Sequence, residues 1–201
     1  DAELLLRASG ASDPLDLVCP YRFEPPVAPL VATQNRYRVP TFSATDGRRR
    51  SYKLPGTRQV SLDRIEEAFR ELTRRHEVVL VEGIGGLLVP LNAGHSVVDL
   101  ARRLDLPVLI VGRAGLGAIN HTLLTLEAAK AAGLEVVGLV LNGLSRRPSL
   151  AERTNPAVLR KLGRVPILGV VPRLAHPTPD RIARYLVVPA LAKDPRLRGD
   201  N

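Results

Sequence analysis

The stretch LPVLIVGRAGLGAINHTLLTLEAAKAAGLEVVGLVLNG, residues 106–143, decides the fold. It opens on a short continuous apolar run, LPVLIVG (106–112), bounded by glycine and rich in β-branched residues, which reads as a buried strand. A helix from about 117 to 132 follows and stops at Gly133, a residue suited to the left-handed conformation that ends helices. EVVGLVLN (135–142) is a second strand of the same kind. Strand, helix and strand in this order form a βαβ unit, and such units build parallel sheets covered on both faces.

The pattern extends in both directions. Upstream, EVVLV (77–81) reads as another buried strand. Before it, SLDRIEEAFRELTRRH (61–76) has Ser61 as N-cap, Asp63 in the first turn, and Arg74, Arg75 and His76 in the last. Leu62, Ile65, Phe69 and Leu72 give this helix one apolar face. Downstream, a helical segment around 155–163 leads to a strand at VPILGVVP (165–172). TPDRIARYL (178–186) then reads as a last helix, with Thr178 as N-cap and Pro179 at the first helical position. Residues 1–10 read as the tail of a helix ending at Gly10. The expectation is one α/β domain over 1–201, with a four-stranded parallel sheet and helices on both faces. Prolines and weak periodicity make 11–60 a long irregular connection, with 33–58 as a basic loop insertion.

In parallel sheets ligands bind beyond the carboxyl ends of the strands. The residues there are Glu82-Gly83, Gly112-Arg113, Asn142-Gly143 and Pro172, so Glu82, Gly112, Asn142 and Pro172 are expected along one edge. Glu82 draws attention because VVLVEGIGGLLVPL (78–91) puts a carboxylate between two apolar runs, on a glycine-rich turn. A carboxylate in a partly dry site needs a cationic partner. Two readings stand: a Mg²⁺ ligand for phosphate chemistry, or an acid paired with a neighbouring arginine or capping a turn.

Composition narrows the classes. The chain has 201 residues, enough for one domain with a substantial core. Hydrophobic content of 45% and charged content of 24% suit a globular protein, and with no apolar run of about 18 residues and no basic-then-apolar start, neither a membrane span nor a signal peptide is expected. The formal charge of +9 raises nucleic-acid binding, but aromatics are only 3%. The basic residues are scattered and gather mainly at Arg36, Arg38, Arg48, Arg49, Arg50 and Lys53, and at Lys193, Arg196 and Arg198, which reads as a solvated surface suited to anionic substrates. Cys19 is the sole cysteine, so no internal disulfide forms and a reducing cytoplasm is expected. His95, His121 and His176 lack zinc-ligand spacing. Met is absent altogether, and with the abrupt start DAELLLRASG this suggests a missing front piece.

Four ordered stretches, VEGIGGLLVPL (81–91), RAGLGAINHTLLTLEA (113–128), GLVLNG (138–143) and ERTNPAVL (152–159), closely resemble the dethiobiotin synthetase family. The match covers 61–190, and DAELLLRASG and CPYRFEPPVAPLVA (19–32) resemble the family's segment after its substrate lysine. The resemblance implies a P-loop NTPase-like sheet and ATP- and Mg²⁺-dependent closure of a cyclic urea on 7,8-diaminopelargonate with CO₂. It implies Glu82 and Asp1 as Mg²⁺ ligands, and Gly85 and Gly86 as backbone donors to a substrate carbamate. Leu116, Gly117 and Asn120, offered by the second subunit of a homodimer, match the positions that receive the substrate carboxylate. Asn142 matches the adenine-reading amide, with Pro172 and Leu174 as an apolar wall. For Asp1 the alternative is a helix N-terminal acid, for Asn120 a helix cap, and for Pro172 a strand stop.

Two departures from the family stand out. No G-x-x-x-x-G-K-[ST] phosphate loop occurs in the chain. The expectation is therefore an N-terminally incomplete sequence without its first βα unit, turning over little ATP alone. The basic segment at 36–53 is also longer than the resemblance implies. Rival readings are a related P-loop amidoligase of the cobyrinate amidase type and a non-catalytic dimerisation module without a P-loop.

Overall fold

The computed structural model describes residues 2–23, 26–33, 38–42, 49–53 and 59–187. Asp1, Arg36, Arg48, Lys193, Arg196 and Arg198 lie outside the described residues. The chain divides into two compact units: Asp1–Arg75 with Val79–Leu100, and His76–Val78 with Ala101–Asn201.

The first unit begins with α1 (Ala2–Ser9), which ends at Gly10 with φ +70 as its sequence foretells. Two short helices follow, α2 (Leu15–Val18) and α3 (Pro29–Thr33). The basic segment expected to be irregular instead holds an antiparallel pair, β1 (Arg38–Phe42) and β2 (Arg49–Lys53), with Arg38 opposite Lys53 and Phe42 opposite Arg49. Val39, Thr41, Phe42 and Tyr52 favour strands, and Pro40 is tolerated because both strands of a two-stranded sheet are edges. The helix α4 (Leu62–Arg75) starts where Ser61 foretells: its hydroxyl accepts from the Arg64 N–H at 3.4 Å, and the Ser61 N–H donates to the Tyr21 hydroxyl at 3.0 Å. Arg75, in the last turn, pairs with Glu71 at 2.6 Å and Asp13 at 3.1 Å.

EVVLV (77–81) is a correction. No strand forms there among the described residues, and Val78 is 59% exposed, Leu80 89% and Val81 43%. Its composition suits a strand, but a strand exists only when a neighbour accepts its ladder of hydrogen bonds. Further on, the Val98 N–H donates to Leu87 O at 2.8 Å and the Val97 N–H to Val89 O at 3.0 Å. These bonds lead into α5 (Val97–Leu104), a helix the sequence reading passed over. Asp99 begins it by accepting from the Ser96 N–H and hydroxyl at 2.7 and 2.8 Å.

The second unit follows the expected alternation: β3 (Val108–Arg113), α6 (Ala118–Ala131), β4 (Val136–Leu144), α7 (Leu150–Gly163), β5 (Ile167–Pro172) and α8 (Pro179–Ala183). The strands pair in parallel in the order β3-β4-β5, so the sheet has three described strands, not four. Successive side chains of β4 alternate between two cores. Leu139 and Leu141 join Ile110, Leu126 and Leu159 on the face covered by α6 and α7. Val140 joins Leu168 and Val171 on the other face, against Ile182 and Leu186.

Close backbone approach dictates one position in β5. A Cβ on Gly169 would press into the Tyr185 carbonyl oxygen and come within 2.7 Å of Leu186 Cδ2. There the chain after α8 returns to bridge Gly169 with Leu186, and the Val187 N–H donates to Leu168 O at 2.7 Å. Gly169→Ala should therefore lower stability by about 1–3 kcal/mol, because the obstacle is backbone and cannot swing aside. Chemical denaturation of the two proteins checks this.

Candidate functional site

In the first unit Glu82 lies on a segment without regular secondary structure and is exposed. The turn after it is built by glycines. Gly85 has φ +73 and Gly86 φ +150, values that a side-chain-bearing residue rarely adopts. The Gly86 N–H folds back on Ile84 O at 2.8 Å, so it meets a ligand only when that small turn opens. Val89, whose N–H donates to Gly86 O at 3.1 Å, closes the turn and would touch a Cβ on Gly85 at 3.0 Å.

Among the described residues no group of three or more His, Cys, Asp or Glu could hold a metal. This leaves room for Mg²⁺ of the kind that uses one or two protein carboxylates and completes its shell with water and phosphate oxygens. A single exposed carboxylate beside a glycine turn fits that demand. Asp1, the second carboxylate named from the sequence, lies outside the described residues.

In the second unit the carboxyl edge of the sheet brings several candidates together. Asn142 is exposed on β4, with Arg113 of β3 and Val171 of β5 as its register partners. Pro172 is the next residue of β5 and Leu174 follows two positions on; both are half-buried. The Arg173 N–H donates to Leu144 O at 2.8 Å, and its Nε to Gly143 O at 3.3 Å. These bonds hold the loop after β5 against the end of β4.

The turn from β3 into α6 holds the other candidates. Leu116 is 95% exposed, and Gly117, with φ +85, is the N-cap residue of α6 without a side-chain cap. Asn120 is exposed inside the first turn, so it is not the helix cap that the alternative reading had it be. A helix start without a capping side chain directs backbone N–H groups and the positive end of the helix dipole outward, an arrangement that favours anions.

The residues that fix these loops come from α7. Its N-cap Ser149 and Glu152 form a capping box, each satisfying the other's backbone N–H. Ser149-x-x-Glu152 is legible as a capping box, and it places the helix start well before the expected residue 155. Glu152 is buried, and its carboxylate also accepts the Ser145 N–H at 2.9 Å, just beyond β4. Interaction with the Ser145 side chain, then the Ser149 and Ser145 N–H groups, holds its pKa down at about 2 from an ordinary 4.5. Asn155, one turn on and also buried, donates from Nδ2 to the carbonyls of Ala114 and Gly115, each at 2.9 Å.

A family model described as an AAA domain matches residues 1–181. The chain is similar to proteins named ATP-dependent dethiobiotin synthetase BioD. That of Anaeromyxobacter dehalogenans (strain 2CP-C) is 42% identical over 172 residues, which is 86% of this chain and 68% of the relative. That of Anaeromyxobacter sp. (strain K) is 44% identical over 162 residues, covering 81% and 64%. That of Bacillus subtilis (strain 168) is 35% identical over 182 residues, covering 90% and 70%. The chain thus spans about two thirds of the length of these relatives.

Because the Glu152 pKa is lower in the folded chain, its ionised form stabilises the fold above pH of about 4.5, and that contribution is lost as pH falls toward about 2. Glu152→Gln should melt below the parent at neutral pH, and the gap should close across that acid window. Thermal melts at a series of pH values check this.

Proposed function

The chain belongs to the family of the ATP-dependent dethiobiotin synthetases, and on that premise we propose that it closes a cyclic urea on 7,8-diaminopelargonate with CO₂, consuming ATP and giving dethiobiotin, ADP and phosphate. The observation that carries this reading is similarity sustained over 86% and 90% of the chain in two of these relatives, which takes in residues of both units.

In the proposed reaction one substrate amine takes up CO₂ as a carbamate. A carbamate oxygen attacks the γ-phosphorus of ATP and displaces ADP, giving a carbamic–phosphoric anhydride. The second amine attacks the anhydride carbonyl, phosphate leaves with the bonding electrons, and the ring closes. The demand on the protein is alignment and charge neutralisation more than covalent chemistry.

The residues divide this work. Glu82, with Asp1, would hold Mg²⁺, which when bound neutralises charge on the phosphate oxygens. Gly85 and Gly86 offer backbone N–H groups to the carbamate, that of Gly86 once its bond to Ile84 O opens, a role supported by the positive φ of both glycines. Leu116, Gly117 and Asn120 at the start of α6 receive the substrate carboxylate, in a homodimer whose second subunit supplies that helix end. The uncapped start of α6 supports this role. Asn142 reads the adenine edge with an amide that donates and accepts together, and Pro172 and Leu174 lie against the base. No helix among the described residues is long and apolar enough to cross a membrane; biotin synthesis in the cytoplasm is the proposed setting.

The test is direct. Protein expressed from the whole gene, given ATP, Mg²⁺, bicarbonate and 7,8-diaminopelargonate, should form dethiobiotin detectable by mass spectrometry, and should not act on cobyrinate. Glu82→Gln should lower kcat by roughly 10²–10³-fold, the scale of losing one electrostatic contact to the transferring group. Asn142→Ala should raise KM for ATP about tenfold or more, consistent with losing about 1–3 kcal/mol of a paired polar contact, and leave KM for the diamine unchanged. Turnover by Glu82→Gln at the parent rate would remove Glu82 from the site.

A further inference from the structure

The stretch ERTNPAVL (152–159) is singled out by sequence, yet none of the proposed binding roles uses it. Its structural environment supplies a role for Asn155. The residue is 4% exposed and sits on the inner side of α7. An amide NH₂ carries two hydrogens. Here Nδ2 lies at 2.9 Å from two consecutive main-chain oxygens, Ala114 O and Gly115 O, which leaves neither hydrogen over. Those oxygens belong to two successive peptide planes, so the amide fixes the orientation of both.

Each of the two residues leads to a proposed binding element. Ala114, itself 2% exposed, donates its N–H to Asn142 O at 3.0 Å. Gly115 O also accepts the N–H of Ala118, the first residue of α6, at 3.2 Å. Between these points lie only Leu116 and Gly117. One buried amide thus anchors the turn that carries the proposed carboxylate-binding positions and, through a single residue, touches the backbone of the proposed adenine-reading position.

We propose that Asn155 is a positioning residue for both substrates: by holding the carbonyls of Ala114 and Gly115 it sets the 114–117 turn, and with it the start of α6 and the backbone at Asn142. This rests on the binding roles proposed above for α6 and Asn142. No other side chain of similar size does the same work. Aspartate matches the shape but, ionised, sets two acceptors against two carbonyl oxygens. Alanine leaves the buried Ala114 carbonyl without its amide partner.

The experiment compares Asn155→Asp and Asn155→Ala with the parent, all expressed from the whole gene. Thr154→Ala is the control; Thr154 is the adjoining exposed residue, whose hydroxyl bonds back within α7 to Leu150 O at 2.9 Å and Ala151 O at 3.4 Å. A positioning role predicts that KM for 7,8-diaminopelargonate and KM for ATP both rise about tenfold to a hundredfold, the scale of losing a supporting contact one layer from a site. It also predicts that kcat at saturation falls much less and that Thr154→Ala matches the parent. Parent-like KM values in folded variants, even with a lowered melting temperature, would overturn the proposal.

Two further measurements keep it falsifiable. If neither variant folds, hydrogen exchange of the Asn155 side-chain amide in the parent decides. Protection far above that of the exposed Asn120 amide supports the anchoring, and equal exchange refutes it. If the parent makes no dethiobiotin, the functional reading fails on its own. Exchange of the backbone amides at 114–118 and 142 in the variants then decides the structural half: faster exchange confined to those residues supports it, and unchanged rates end it.

Discussion

The central strand of the second unit sets the terms for everything around it. β4 is paired on both edges and buried on both faces, and Leu139, Val140 and Leu141 are 0%, 6% and 0% exposed. A buried backbone group must be paired, so β4 requires β3 and β5 in register on either side. Burial on two faces requires apolar residues in succession, and those in turn require α6 and α7 on one side and the chain around α8 on the other. Glycine marks the tightest place on this strand, where a Cβ at Gly138 would come within 2.5 Å of Leu168 Cδ1. Where the apolar run stops, at Asn142, the strand emerges from its neighbours and chemistry becomes possible.

This two-sided burial explains why the second unit was legible in the sequence. Continuous apolar runs with glycine, asparagine or proline at their ends became β3, β4 and β5 close to the expected bounds. The same logic failed at EVVLV (77–81), because composition records a preference for a pleated, buried surface and says nothing of whether a neighbouring strand is there to pair with. α5 was passed over for the opposite reason. Its eight residues follow a turn-rich stretch, and its start depends on Asp99 reaching back to Ser96, a local signal easily lost beside longer patterns. The β1–β2 pair was hidden because prolines and weak periodicity read as an irregular connection, while Val39, Thr41, Phe42 and Tyr52 still favour strands.

Legibility of the candidate site follows a similar division. Glu82 and Asn142, both exposed, announce themselves because a polar residue interrupts an apolar pattern, whereas Gly117 is named only through the family resemblance. Asn155 does not announce itself. It sits among residues of a helix where an asparagine is merely unremarkable, and its two acceptors lie on a loop far away in sequence. Only the fold discloses that its NH₂ group is enclosed and that both its hydrogens are used. Ser149 and Glu152 fall between these cases, since the capping box is written locally, while the further bond from Ser145 to the same carboxylate depends on where β4 ends.

Parallel pairing also governs how this unit can assemble in time. Ile110 aligns with Leu139, and Leu139 with Ile167, so each rung of the sheet joins residues separated by a whole helix and its connections. No rung forms by zipping outward from a tight hairpin. Chain closure over such spans costs entropy before the new contacts return any, and topologies of this kind fold more slowly than those built from neighbouring segments. α6 and α7, whose own hydrogen bonds are local, shorten the spans when they form first, and they thereby act as temporal scaffolds for the sheet they later cover.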